Sequence, residues 1–401
     1  MTVALRRFIA EDGERHAILV DEQGMPLFYP TLWVTVVIRG GARALNTIQN
    51  ALNALKCLYV WEERFGINIE QRFARGLILQ GREIHALRDF LQESLSQDAE
   101  PRAAVPVSRR CKTVSSSSHY ARMTVAAEYL EFLARRLCPV SEENERRITS
   151  MVTQIKANRP KQTSKTLGND REERFLNDAE LDLLAERLKP GAENNPFAGY
   201  PVQFRNALMF AILRVTGLRR GELLNLRVDD IDFAANTLRV VRRADSPQDI
   251  RRYQPVAKTR ERQFPLDPEL LSTIHDYVVL HRSKLPAAKR HGYLFVTHKE
   301  GRYLGSPLSN SGFSKFIAGL ITTSGRLHAH KLRHHWNYTF SSLSDAKGLT
   351  AAREEKLRSY LMGWEQTSGT AAIYNRRHIK KEAGESMLEL QRKRLRGKPN
   401  V

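Results

Sequence analysis

Four short stretches fall in a fixed order along the second half of the chain: Val215-Thr216-Gly217-Leu218-Arg219 with Glu222, Ala257-Lys258-Thr259, His330-Lys331-Leu332-Arg333-His334, and Ala372-Ile373-Tyr374. They contain two arginines, a lysine, a histidine and a tyrosine. If these side chains act together, the fold must bring four separate segments onto one surface. That requirement constrains the architecture more than any local propensity does.

Each residue type suits one step in handling a phosphodiester. Arg219 follows an apolar segment, Phe204 to Val215, and Gly217 provides the turn before Glu222-Leu223-Leu224. A guanidinium is a planar, permanently charged fork that grips non-bridging phosphate oxygens, and its grip strengthens as charge builds on phosphorus. Glu222, three residues on, lies where one helical turn lets it orient that guanidinium, and Arg220 is the neighbour a one-residue register error would choose. Lys258 precedes Arg262-Gln263-Phe264-Pro265-Leu266, which reads as the return of a strand expected over Asp232 to Arg243 with Leu238, Val240 and Arg242. A lysine there can protonate a departing oxygen, or can be one of several basic phosphate contacts together with Arg251, Arg252, Arg260 and Arg262. His330 and Arg333 share a helical face at spacing i, i+3. Arg333 offers a second clamp, while His330 offers a base or a hydrogen-bond donor near neutral pH. Trp364, in Leu361-Met362-Gly363-Trp364, can donate its indole N–H or serve only for packing. Tyr374 offers a nucleophilic phenol.

In their order and spacing, these motifs resemble the tyrosine recombinase (phage integrase) family over roughly Glu173 to Ile379. The resemblance implies a fold that is mainly α with a small antiparallel β-sheet, arranged as a two-domain DNA clamp with a helical core-binding domain and a mixed α/β catalytic domain. The implied site is Arg219, Lys258, His330, Arg333, Trp364 and the nucleophile Tyr374, supported by Glu222, with no metal and no other cofactor. Site-specific recombination is the implied activity, on duplex DNA and within a tetramer, with an accessory DNA-bending or directionality factor as a further possible partner. A type IB topoisomerase and a non-catalytic DNA-binding protein of the same fold are the alternatives. Two departures from the family pattern stand out. The connection from Ala244 to Pro255 is long, and Trp364 and Tyr374 lie ten residues apart where nine is usual.

Upstream, Ala17 to Val20 and Leu27 to Tyr29 read as extended segments about a turn at Asp21 to Gly24, closed by Pro30. Leu45, Ile48, Leu52, Leu55 and Leu58 recur at helical spacing, as do Ile84, Leu87 and Leu91. Past the prolines at 101 and 106 and the basic run Ser108 to Thr113, a third helix passes through Met123, Ala126, Leu130, Leu133 and Leu137, with Ser118 as its expected N-cap. The expected organisation is an N-terminal extended segment at 1–38, a helical DNA-binding domain or generic bundle at 39–157, a basic linker or surface loop at 158–172, a catalytic domain at 173–385 and a basic tail at 386–401.

Composition agrees with a polyanionic partner. Sixty-four Lys and Arg against 44 Asp and Glu leave a formal charge of +20, and neutralising phosphates releases their counterions. From Asn375 onward, nine Lys and Arg face three Glu, which reads as a solvated tail that touches nucleic acid, while the family resemblance implies a segment that docks on a neighbouring protomer with Met387, Leu388 and Leu390 as its apolar anchor. Cys57, Cys111 and Cys138 have no zinc or disulfide spacing. No signal-peptide or membrane-length apolar run is read, so a cytoplasmic, nucleoid-associated protein is expected. The N-terminal segment and the basic tail lean toward an integrase of a mobile element.

Overall fold

The computed structural model describes residues 3–39, 45–95, 113–161, 176–323, 325–365 and 383–391. The chain divides into two compact units, Met1–Asn169 and Asp170–Val401. The basic run at 108–112, residues 162–172 of the expected linker, Tyr374 and the end of the tail lie outside the described residues.

The first unit opens with an antiparallel hairpin, β1 (Ala4–Ile9) and β2 (Arg15–Val20), in register from Ala4 opposite Val20 to Ile9 opposite Arg15. Leu27-Phe28-Tyr29 does not continue as a strand: Phe28–Trp33 is a helix, α1, followed by a π-helical turn over Val34–Arg39. Pro30 falls in the first turn of α1, where backbone N–H groups have no partner within the helix, so its missing N–H costs nothing there. Residues 3–39 share the core of this unit, to which Val3, Ala17, Leu19 and Trp33 contribute.

The remaining helices of the unit are α2 (Leu45–Phe65), α3 (Ile69–Ala74), α4 (Gly81–Gln92), α5 (Ser116–Leu137) and α6 (Glu142–Ala157). The stripes read from sequence face inward, with Ile48, Leu52, Leu55, Leu58, Ile84, Leu87 and Leu91 all buried. The N-cap of α5 is Ser115 rather than Ser118, and its hydroxyl accepts from the Ser118 N–H at 3.3 Å. Ser115 keeps an extended backbone, which an N-cap needs, while Ser118 already lies within the helix. Helices α3 and α6 went unread, although Asn68 and Ser141 cap them and three glutamates fill the first turn of α6.

Glu62 on α2 accepts from the Ile69 N–H at 2.8 Å. Burial, aided by the nearby Glu70 and opposed by that N–H, pushes its carboxyl up to about 7 from an ordinary 4.5. Between those values the folded state binds more protons than the unfolded one, so the stability of this unit falls as pH rises from about 4.5 through about 7. Hydrogen exchange of α2 and α3 amides is expected to be slower at pH 5.5 than at pH 8 once corrected for intrinsic rates. Glu62→Gln should flatten that difference, and an unchanged pH dependence would contradict the assignment.

In the second unit, α7 (Asp178–Leu188) and α8 (Tyr200–Thr216) precede α9 (Arg220–Asn225). A three-stranded antiparallel sheet follows in the order β3 (Ile231–Asp232), β4 (Thr237–Val240) and β5 (Arg262–Pro265). The single strand expected over Asp232 to Arg243 is therefore a hairpin. Asp232 Oδ1 accepts from the Ala234 and Ala235 N–H groups, and Asn236 takes φ 53°, which reverses the chain. Next come α10 (Pro268–Asp276), a π-helical turn over Tyr277–Arg282, α11 (Asn310–Ala318), a short hairpin of β6 (Ile321–Thr322) and β7 (Gly325–Arg326), α12 (Ala329–Ala346) and α13 (Ala351–Met362). Helix α12 packs against both α8 and α13, and this brings distant motifs together. The core of the unit includes Leu213, Leu218, Leu223, Ile274 and Leu332. No helix among the described residues is long and apolar enough to cross a membrane.

Candidate active site

Helix α8 ends at Gly217, whose φ of 62° favours glycine. A Cβ there would lie 3.0 Å from Trp336 Cγ and 3.2 Å from Met362 Cε, so space and conformation both demand glycine. The turn sends Leu218 into the core and leaves Arg219 at the N-cap of α9. Its backbone N–H donates to Glu222 Oε2 at 2.9 Å, fixing the start of the helix. The Arg219 side chain is about one-third exposed, with Nη1 at 3.7 Å from Glu222 Oε1. Arg220 is exposed.

Glu222 is buried and is the centre of the arrangement. Thr259 Oγ1 donates to its Oε1, and Arg262 donates to both oxygens, Nη1 to Oε1 at 3.3 Å and Nη2 to Oε2 at 3.1 Å. Burial alone would raise this carboxyl. The Arg262 guanidinium beside it, with the Thr259 hydroxyl and the Arg219 N–H, overcomes that and holds it below its ordinary value. On α12, Arg333 is buried and reaches the same carboxylate, with Nη1 at 3.9 Å from Oε2. Its guanidinium donates to the Gly217 carbonyl at 2.6 Å and to the Met362 carbonyl at 3.3 Å, and lies 5.5 Å from the centre of the Trp364 ring.

Lys258 is exposed, between the buried Ala257 and Thr259. Because Thr259 bonds Glu222, the backbone that carries the lysine is tied to the carboxylate that both arginines approach. The long connection before it is pinned into the core. Arg251 pairs with Asp249 at 2.7 Å, donates to the Leu224 and Leu308 carbonyls at 2.9 Å and lies over the Tyr293 ring at 4.4 Å. Of the four nearby basic residues read as phosphate contacts, Arg251 and Arg262 are buried structural groups, and Arg252 and Arg260 are exposed.

The end of α13 is fastened to this same connection. The Arg260 N–H donates to the Gly363 carbonyl at 3.0 Å, Arg262 Nε to the Leu361 carbonyl at 2.6 Å, and the Tyr360 hydroxyl to the Gln263 carbonyl at 3.0 Å. Gly363 has φ 63°, and a Cβ on it would meet Arg262 Nη1 at 2.8 Å and the Arg260 carbonyl oxygen at 2.9 Å. Trp364 packs with Met362 and Trp336, its indole nitrogen shielded from solvent. His330 is exposed one turn before Arg333, its ring 4.4 Å from that of His334 and edge-on to it.

The structure thus brings Arg219, Glu222, Arg333, Trp364 and the Lys258 connection together, and places His330 on the helix that bears Arg333. Arg262 and Trp336 are the participants that sequence reasoning missed. Trp336 underlies Gly217 and donates Nε1–H to the Val215 carbonyl at 2.8 Å. Burial alternates from Ala257 to Arg260 but breaks at Glu261, which is exposed like Arg260, so a period-two pattern would have turned Arg262 outward.

Residues 185–380 match the phage integrase family. Tyrosine recombinase XerD of Halalkalibacterium halodurans is 27% identical over 164 residues, which cover 40% of this chain and 48% of that protein. Transposase A from transposon Tn554 of Staphylococcus aureus is 30% identical over 132 residues, 32% of this chain and 34% of that protein. The chain therefore spans about half, or less, of the length of these two relatives. In fold, it is similar to XerH site-specific recombinase bound to palindromic difH substrate in a post-cleavage complex, with a TM-score of 0.51 and 16% identity over 90% of this chain and 85% of that one. Given the family match and the ordered motifs from Thr216 to Tyr374, residues 185–380 are a domain of the tyrosine recombinase, or phage integrase, family.

Proposed function

We propose that this protein is a site-specific DNA recombinase that cuts and rejoins duplex DNA through a 3′-phosphotyrosyl bond at Tyr374. The observation that carries this reading is the approach of two guanidiniums, Arg219 and Arg333, to one buried carboxylate beside the Lys258 connection. In the proposed reaction the Tyr374 phenol oxygen attacks the scissile phosphorus and the bond from phosphorus to the 5′ oxygen breaks. His330 takes the phenolic proton or bonds a phosphate oxygen, and Lys258 protonates the leaving 5′ oxygen. Arg219 and Arg333 stabilise the charge that builds on the non-bridging oxygens, and Trp364 supports Arg333 from below. Attack of a free 5′ hydroxyl on the phosphotyrosyl bond reverses these steps, so rejoining requires no ATP.

Exchange between two duplexes requires two protomers on each, so the working assembly is proposed to be a tetramer that passes through a four-way junction. Residues 383–391 are helical, with Met387, Leu388 and Leu390 exposed, and are proposed to anchor neighbouring protomers. The +20 charge supports duplex DNA as the partner, with a DNA-bending or directionality factor as an accessory. Integration or excision of a mobile element is the proposed setting, supported by the likeness to the Tn554 transposase, and the cytoplasmic nucleoid is the proposed location. Plasmids carrying two copies of the DNA that flanks the gene should yield joint products joined at one core sequence. Relaxation of any supercoiled plasmid without joint products would instead identify a topoisomerase, and no covalent adduct on any substrate would identify a binding protein.

A further inference from the structure

Among the described residues three guanidiniums approach Glu222, and of these Arg262 alone gives it side-chain hydrogen bonds, at 3.1 and 3.3 Å; Arg219 and Arg333 stand off at 3.7 and 3.9 Å. The difference matters because the carboxylate has other duties. It holds the Arg219 backbone N–H at 2.9 Å and accepts from Thr259, the residue next to Lys258. A buried carboxylate without its own counter-ion would draw in the nearest guanidinium, because charge-assisted hydrogen bonds are strongest where water is excluded. Either clamp captured in that way would be lost to phosphate.

We propose that Arg262 is a positioning residue that neutralises Glu222, so that the carboxylate aligns the two arginine clamps and the Lys258 connection without capturing the clamps. The Arg262 side chain is only 1% exposed, which excludes direct contact with DNA. Its Nε–H on the Leu361 carbonyl ties the same charge pair to the end of α13, the helix that leads toward Tyr374. Arg262 therefore connects the clamp and acid segments with the end of α13 without touching substrate. This inference rests on the recombinase reading above.

The test compares wild type, Arg262→Met and Arg262→Met/Glu222→Gln in single-turnover adduct formation at saturating DNA. The probe is the nicked duplex, from a tiled set spanning the DNA on both sides of the gene, on which wild type forms most adduct. Misfolding lowers the amplitude of such a reaction, whereas mispositioned clamps lower its rate constant. For Arg262→Met, a rate constant about 100-fold below wild type is expected, with duplex affinity within about 3-fold. The double variant has no carboxylate to capture the clamps and should recover at least about 10-fold of that rate constant. A wild-type rate constant in Arg262→Met, or a double variant no faster than the single one, overturns the proposal while leaving the recombinase reading intact. Absence of adduct from wild type on every duplex overturns both.

Discussion

Replacing Arg333 with alanine should lower the single-turnover rate of DNA cleavage by about 1,000-fold while leaving duplex affinity within a few-fold, since removing one preorganised donor from a developing oxyanion costs about 100- to 1,000-fold. The larger value is expected because Arg333 is buried, where its charge is screened least. Its two carbonyl contacts, Gly217 and Met362, hold the guanidinium in one orientation and tie the turn before Arg219 to the end of α13. Losing them leaves two buried carbonyls short of a donor, at a cost of about 1–3 kcal/mol each. Arg333→Ala should therefore unfold at lower denaturant concentration as well as cleave slowly. Arg333→Lys should not restore the rate, because one ammonium cannot span both carbonyls and still face a phosphate. A gel-shift titration alongside a cleavage time course separates these effects, and a normal cleavage rate in Arg333→Ala would remove the clamp from the mechanism.

Much of this site was legible in the sequence because its chemistry depends on few residue types in a fixed order. Arg219, Glu222, Lys258 and Arg333 were named from motifs, and the structure brings their segments to one buried carboxylate. What sequence could not supply was the sorting of charges by burial. Arg251, Arg252, Arg260 and Arg262 look alike in a basic stretch, and only tertiary packing turns two of them inward. For the same reason the approach to Lys258 stood out in the sequence only by its length, whereas Arg251 anchors it through Leu224, Leu308 and Tyr293.

Errors in the fold follow a similar logic. Leu27 to Tyr29 is apolar and precedes a proline, which reads as the end of a strand, yet a proline in a helix's first turn is just as admissible. Ser115 and Ser118 are equal candidates by type, and only the extended backbone at Ser115 decides which one caps α5. The short helix α3 carried a cap signal at Asn68 but has a brief apolar stripe, whereas α6 carried both a cap at Ser141 and a full stripe of Ile148, Met151, Val152 and Ile155, so it was legible and missed. The long stripes of α2 and α5 were recovered because periodicity accumulates with length.

The second large effect concerns Tyr374, ten residues beyond Trp364. A tether of that length reaches roughly 35 Å when extended, more than enough to bring a phenol to a phosphate held by Arg219 and Arg333. Loss of the hydroxyl removes the nucleophile, so Tyr374→Phe should abolish covalent capture of DNA while leaving binding intact. The most direct measurement is to trap the denaturant-resistant adduct on a nicked duplex, digest it with protease and identify the peptide that carries the nucleotide. The expected peptide contains Tyr374 bonded to a 3′ phosphate, with no adduct from Tyr374→Phe. An adduct on any other residue, or one that persists in Tyr374→Phe, would contradict the account.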